Sequence, residues 1–319
     1  MRILCRTVIM QPQLEALAHE AGATIVSAPD AATAIREAPA ADIVWLWPGC
    51  YDADLAAALR ASGRLRWIQL LTMGYDPLET HGVPPGVLVT NAGDSYAPTV
   101  AEHALTLLLA LLRQIRPAVE RAAQQVWDPT LAGGVRTLNS ATVAVVGFGS
   151  IGKEIEVRLR ACGAKVIAVT RSGAAQSAAV ECVPVSRLHE VLARVDAVIV
   201  AAPLTAQTRG LIDGAALAAL RPGAVLVNIA RGPIVDTGAL TAALSDGRLA
   251  AAALDVTDPE PLPAGHPLWN APNLLITPHI AGYGGEVPGR RVLGLIRRNL
   301  DAFLNGRPLE AQIVVAAAR

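Results

Sequence analysis

Short apolar runs alternate with Ala-rich, helix-patterned segments through nearly the whole chain. That alternation predicts βαβ units and parallel sheets, an α/β protein. In the N-terminal third, strands are expected at Arg2–Cys5, Ala23–Val26, Ile43–Leu46, Trp67–Leu70 and Val87–Thr90, with helices at Pro12–Glu20, Ala31–Arg36 and Asp54–Ser62. From Thr142 a second series predicts six strands: Thr142–Val146, Lys165–Val169, Ala197–Ala201, Ala224–Asn228, Ala251–Leu254 and Leu274–Ile276. Between the series, Pro98 can start a helix, because its missing N–H would be unpaired there anyway. The stretch Val100–Ile115 is apolar on nearly all sides and should be buried between domains or subunits. After a Gly/Pro-rich connection over 283–289, a helical pattern from Arg290 to Leu304 can pack back on the first series and make it discontinuous. The expected division is residues 1–97 plus 289–319, and residues 98–288.

A length of 319 residues suits two medium domains at about 100–200 residues each. Apolar residues make up 52% and aromatic ones only 3%, so the cores must be built from Ala, Val, Leu and Ile. Formal charge is zero with no basic run, which argues against nucleic acid or an anionic membrane as partner. Cys5, Cys50, Cys162 and Cys182 form no CxxC or metal-ligand spacing, so buried reduced thiols and no metal are expected. Met1-Arg2-Ile3-Leu4 lacks the regions of a signal peptide. The apolar stretch Leu105–Leu112 is far short of the roughly 20 residues a bilayer requires. These features predict a soluble, cytoplasmic protein.

Gly147-Phe148-Gly149-Ser150-Ile151-Gly152 follows the run Thr142–Val146 and opens a helical pattern. In a βαβ unit the first glycine permits the tight turn and the second lets backbone amides approach a pyrophosphate. The third lets helix and strand pack closely, and the helix N-terminus faces the phosphate charge. Its place between two strand-like runs makes this a dinucleotide loop rather than a chance glycine turn. The next strand ends in Thr170-Arg171-Ser172, with no acidic residue.

Three ionisable residues follow late strands: Arg231 after Asn228-Ile229-Ala230, Glu260 after Asp255, and His279 in Thr277-Pro278-His279. Singly, each reads as an ordinary loop residue. Together they lie where open α/β sheets bind ligands, outside the carboxyl ends of strands. An Arg can grip a carboxylate, a His can exchange a proton near neutral pH, and a Glu can orient that His and raise its pKa. The set suits hydride transfer at a carbon that bears oxygen next to a carboxylate.

The sequence resembles the D-isomer-specific 2-hydroxyacid dehydrogenase family over most of its length. The matching pieces are Thr72-Met73-Gly74-Tyr75-Asp76, Val100-Ala101-Glu102-His103, the glycine loop and Ala202-Pro203-Leu204-Thr205 with Thr208. Asn228 to Gly232, Asp255 to Pro261 and Thr277-Pro278-His279 complete them. The resemblance implies a discontinuous flavodoxin-like substrate domain, a Rossmann-like dinucleotide domain, a cleft between them, and a homodimer joined around Val100–Ile115. It implies that Arg231 holds the substrate carboxylate, His279 is the general acid/base, Glu260 pairs with it, and Asp255 bonds the nicotinamide carboxamide. It puts the backbone amides of Met73 and Gly74 on the substrate. It puts Gly147, Phe148, Gly149, Ser150, Ile151, Gly152, Ala202, Pro203, Thr208, Ile229, Ala230 and Ala281 on the cofactor.

Family members that use NAD usually carry an Asp at the end of the second strand, for the adenosine ribose. Here Thr170 stands there by spacing, followed by Arg171 and Ser172. A carboxylate would repel the 2′-phosphate of NADP, whereas a guanidinium and two hydroxyls can bond it. NADP(H) is therefore expected over NAD(H). The resemblance puts the loop at Trp45 and Trp47 beside the substrate, with Trp47 as a substrate-binding candidate. The two would share a face if their strand continues that far, so that one or both can narrow the pocket; ordinary core or interface aromatics are the plain alternative. His103 and His266 read as structural. The resulting expectation is NADPH-dependent reduction of glyoxylate, hydroxypyruvate or an aryl or alkyl pyruvate to the D-2-hydroxy acid. Two alternatives share the fold: formate or phosphite dehydrogenases, where the formate branch uses Gln in place of the Glu beside its histidine, and dinucleotide-sensing binding proteins of the C-terminal-binding-protein type.

Overall fold

In the computed structural model, which describes residues 1–174 and 180–315, the chain divides into two compact units. One comprises Met1–Tyr96 and the segment from Gly284 onward; the other is Ala97–Tyr283. The first opens β1 (Arg2–Arg6), α1 (Gln11–Glu20), β2 (Thr24–Ser27), α2 (Ala31–Glu37), β3 (Ile43–Leu46), α3 (Ala53–Ser62), β4 (Trp67–Leu70), α4 (Asp76–His81) and β5 (Leu88–Thr90). The second contains α5 (Ala97–Leu112), α6 (Ile115–Ala123), β6 (Thr142–Val146), α7 (Ser150–Ala161), β7 (Lys165–Thr170), β8 (Glu181–Pro184) and α8 (Leu188–Leu192). It continues with β9 (Ala197–Val200), α9 (Gly214–Ala219), β10 (Val225–Asn228), α10 (Thr237–Ser245), β11 (Ala251–Leu254) and β12 (Leu274–Ile276). The long helix α11 (Glu286–Leu304) returns to the first unit.

The first unit's sheet runs β2-β1-β3-β4-β5 with every pair parallel, the flavodoxin-like order. Alternate residues explain its burial. Leu4, Val44, Leu46, Ile68 and Leu70 pack with residues of α2, α3 and α4, while Ile3, Cys5, Ile43, Trp45 and Trp67 pack with α1 and α11. Both faces are covered, so the strands read as continuous apolar runs rather than alternating ones. A buried polar cluster is fully paired. Trp67 Nε1 donates to Thr90 Oγ1 (2.8 Å), and Gln69 Oε1 accepts from Thr90 (2.8 Å) and from Asn299 of α11 (3.1 Å).

The second unit's sheet runs β12-β11-β10-β9-β6-β7-β8, again all parallel. Helices α8, α9 and α10 cover one face. On the other, α5 packs on α7, β10 and β11. The order of strand addition reverses between β6 and β9, so the loops after these two strands lead to opposite sides of the sheet and leave a crevice at this topological switch point.

Several expectations need correction. The second sheet has seven strands, because β8 is a four-residue edge strand, half-exposed and ending in Pro184, with no apolar run to announce it. Instead of one helix to Ile115, the chain breaks at Gln114, in the left-handed region at φ 56°, and α6 follows. Helix α5 is buried largely against its own unit, through Val100, Ala104, Leu107, Leu108 and Leu111. Helix α11 begins at Glu286 rather than Arg290. Pro288 stands in its first turn, where no N–H is needed. Only Cys5 of the four free thiols is buried; Cys162 caps α7 on the solvent side and is exposed, and Cys50 and Cys182 are half-buried. Among the described residues no helix is long and apolar enough to cross a membrane, and no cluster of His, Cys, Asp or Glu could hold a metal.

Candidate active site

The glycine loop joins β6 to α7. A side chain at Gly147, which has φ 94°, would lie 2.6 Å from the Ala202 backbone, and one at Gly152 would collide with the Gly147 carbonyl oxygen. A Cβ at Gly149 would meet nothing. Two glycines are thus required by the protein's own packing, and the third leaves open space beside the loop. The first turn of α7 carries no acidic residue, Gly149 gives no side-chain cap, and the first backbone amide to bond within the helix is that of Lys153. The amides of Ser150, Ile151 and Gly152 are therefore donors open to an anion. This loop fits a dinucleotide pyrophosphate.

At the end of β7, Thr170 Oγ1 accepts from the Gly173 amide (2.9 Å) and Ser172 Oγ from Ala174 (3.3 Å), while Arg171 and Ser172 are exposed. Each hydroxyl serves as an acceptor inside its turn and keeps its proton to donate. After β9, Thr208 Oγ1 donates to Pro203 O (2.6 Å) and accepts from Thr205 N (2.7 Å), so its hydroxyl braces the Ala202–Thr208 loop.

After β10, the fully buried Asn228 staples the next turn: its Oδ1 accepts from Ala230 N (3.0 Å) and its Nδ2 donates to Arg231 O (3.0 Å). Ile229 and Ala230 are buried. Arg231 Nη1 donates to Ala230 O (2.7 Å). Gly232 lies so close to the Thr257 carbonyl that any Cβ would overlap it. That contact sets the Arg231 turn against the Asp255–Pro261 loop.

His279 Nδ1 and Glu260 Oε1 are 2.6 Å apart, both partly exposed. The His279 hydrogen bond holds the Glu260 carboxyl below its ordinary range. Partial burial opposes this, and the charges of His279 and Arg231 and a Thr257 backbone donor assist. With Nδ1–H on the carboxylate, Nε2 is the nitrogen left to exchange a proton. Arg231, Glu260 and His279 thus meet in one cluster at the carboxyl ends of β10, β11 and β12.

Asp255 is 1% exposed. Its backbone oxygen accepts from His279 N (2.8 Å), its Oδ1 from Thr277 Oγ1 (2.6 Å) and Ile280 N (3.0 Å), and its Oδ2 from Ala281 N (3.0 Å). Burial would raise its pKa, but donors from His103, Thr277, Ala281 and Ile280 outweigh this and hold it low. Asp255 therefore braces the His279 turn, a part the sequence does not announce. His103 reaches the same carboxylate, whereas His266 is a cap whose Nδ1 accepts from Leu268 N (3.2 Å).

Met73, Gly74 and Trp47 lie in the first unit, beyond the carboxyl ends of β4 and β3. Asn91 Nδ2 holds Met73 O (2.9 Å), and among the described residues the amides of Met73 and Gly74 have no acceptor. The tryptophan pair is corrected: β3 ends at Leu46, Trp45 is buried in the core, and Trp47 opens a 3₁₀ turn at Pro48–Cys50 with its indole against Gly49.

Residues 105–281 match the family model of the D-isomer specific 2-hydroxyacid dehydrogenase, NAD binding domain. Glyoxylate reductase of Pyrococcus furiosus is 35% identical over 251 residues, covering 76% of this chain and 74% of that protein. D-3-phosphoglycerate dehydrogenase of Mycobacterium leprae is 35% identical over 289 residues, covering 90% of this chain but 54% of its own length. Among solved structures, a D-isomer specific 2-hydroxyacid dehydrogenase family protein from Aeromonas salmonicida superposes with a TM-score of 0.84 at 30% identity, covering 98% of this chain and 99% of that one.

Proposed function

This chain belongs to the D-isomer specific 2-hydroxyacid dehydrogenase family, and we propose that it reduces a small 2-oxo acid to the D-2-hydroxy acid, with NADPH as the preferred cofactor. The observation that carries the reading is the 2.6 Å contact between His279 and Glu260, with Arg231 beside it and the glycine loop on the same sheet. A bound nicotinamide dinucleotide supplies the hydride. Arg231 grips the substrate carboxylate and stabilises the oxyanion that develops at the neighbouring carbon. His279 Nε2 gives that oxygen its proton, and Glu260 fixes the ring through Nδ1. Asp255 and Ala281 would border the nicotinamide, and in the first unit the open amides of Met73 and Gly74 and the Trp47 indole are the candidate substrate contacts. Glu260 disfavours formate oxidation, because no substrate hydroxyl there needs a proton shuttle.

The preference for NADPH rests on the Thr170-Arg171-Ser172 turn, where two hydroxyls and a guanidinium stand in place of a carboxylate. A homodimer is supported by exposed Ile115, Val119 and Trp269, which line an apolar groove of about 490 Å³ together with Leu111, Leu274 and Ile276.

An absorbance assay crossing NADPH and NADH with glyoxylate, hydroxypyruvate, pyruvate and phenylpyruvate tests the reading. NADPH oxidation with at least one of them is expected, and His279→Ala should slow it by about 10²–10⁴-fold. A strong preference for NADH would overturn the cofactor reading. Near-normal turnover by His279→Ala would overturn the role of the histidine. Tight NADPH binding with no turnover of any 2-oxo acid would favour a dinucleotide-sensing binding protein.

A further inference from the structure

His103 sits on α5, and sequence reasoning leaves it in a helix core. Its ring is instead turned to the Asp255 carboxylate: Nε2 is 3.1 Å from Thr277 Oγ1 and 3.3 Å from Asp255 Oδ1. The proton inventory fixes the direction of these contacts. Thr277 has one hydroxyl proton, and it is committed to Asp255 Oδ1 at 2.6 Å. Thr277 Oγ1 can therefore only accept from His103, so Nε2 carries a hydrogen and shares it between the hydroxyl and the carboxylate.

What this carboxylate holds is the turn that presents His279. That residue has φ 53°, a left-handed conformation that favours glycine and that other residues keep only where the surroundings over-determine it. Three successive amides do so here. His279 N bonds the Asp255 backbone oxygen (2.8 Å), and Ile280 N and Ala281 N take one carboxylate oxygen each (3.0 Å). The grip requires that the carboxylate not rotate. The amides constrain it from the turn itself, and His103 constrains it from outside, from a helix anchored by Val100, Ala104 and Leu107 in the core of the same unit.

We propose that His103 is a positioning residue for the proton-transfer step: its Nε2–H locks the Asp255–Thr277 pair, which holds His279 in register with Glu260. This rests on the reading of His279 as the acid/base. It assigns His103 no contact with substrate or cofactor.

The test compares His103→Phe, which keeps a ring without the donor, with His103→Gln, which restores an N–H, and with Thr277→Val, which removes the shared acceptor. His279→Ala is run in parallel. Two readouts are taken: steady-state kinetics with the most active 2-oxo acid, and amide hydrogen exchange on the protein without cofactor. His103→Phe should lower kcat about 10- to 100-fold with KM and dinucleotide Kd changed less than about threefold, and His103→Gln should recover most of the loss. Exchange at Ile280 and Ala281 should quicken at least about tenfold in His103→Phe while the β11 amides stay protected. In the Thr277→Val background the further effect of His103→Phe should shrink, as coupled partners require.

Unchanged exchange at 280–281, a loss that Gln does not recover, or a rise in KM or dinucleotide Kd matching the fall in rate would overturn the proposal. Acceleration extending through β11 would mean a merely structural histidine and overturn it as well. If His103→Phe does not fold, Thr277→Val alone must show the local exchange and kcat effects. A normal rate in His279→Ala sinks the acid/base reading, whereas a slow His279→Ala beside a normal His103→Phe sinks the proposal alone.

Discussion

Asp255 carries a charge that is almost wholly buried yet stays ionised, because donors from His103, Thr277 and two backbone amides surround it. Its folded pKa lies below the unfolded value of about 3.9, so the sign of its linkage is fixed. The unfolded chain takes up the proton first as pH falls, and the stability this carboxylate contributes is present in full above the unfolded pKa. It is lost progressively as pH drops through the depressed folded value. Urea denaturation between pH 3 and 6 should therefore show a falling acid limb that Asp255→Asn flattens. At pH 7 that substitution should cost about 1.5–3 kcal/mol, the scale of a hydrogen bond to a charged group. That Arg231, Glu260 and His279 would come together was legible in the sequence, because all three follow strands of one parallel sheet. The bracing roles of Asn228, Asp255 and His103 were not. A hydrogen bond between residues 174 apart, as His103 and Thr277 are, leaves no local pattern.

At the scale of elements, the cluster exists because two loops approach without a side chain between them. Gly232 presses on the Thr257 carbonyl, and that contact sets the distance from the Arg231 turn to the loop that carries Glu260. Gly232→Ala has no room to relax except by moving backbone. It should destabilise the second unit by about 1–3 kcal/mol or more and reduce kcat/KM by at least about 10²-fold, the scale of loss from a 1 Å misplacement. Thermal melting and steady-state kinetics check both; a neutral Gly232→Ala would mean the loops are not set by this contact. The strands were legible because parallel strands covered on both faces read as unbroken apolar runs. Edge strand β8 and helix α6 escaped for the opposite reason: α6 buries no residue fully, and β8 buries only one.

For the whole molecule, the surface offered to a second copy centres on α6, which buries none of its residues. Ile115 and Val119 stand one helical turn apart on a helix that its own unit leaves uncovered. Light scattering should give twice the mass of one chain, and Val119→Glu, which places a charge in the apolar patch, should shift the protein toward one chain without changing its helix content. A dimer indifferent to Val119→Glu would have its interface elsewhere.

The return of α11 to the first unit has a consequence for synthesis. Val292, Ile296 and Leu300 fill one face of the first sheet, and Asn299 satisfies Gln69 inside it. Roughly 200 residues of the second unit and its flanks intervene between Tyr96 and that helix, which a ribosome takes about 10–40 s to add at about 5–20 residues per second. During that interval the second unit, continuous in sequence, can complete its sheet. The first to be translated is thus the last to be finished, with apolar strands awaiting their lid in the reach of chaperones.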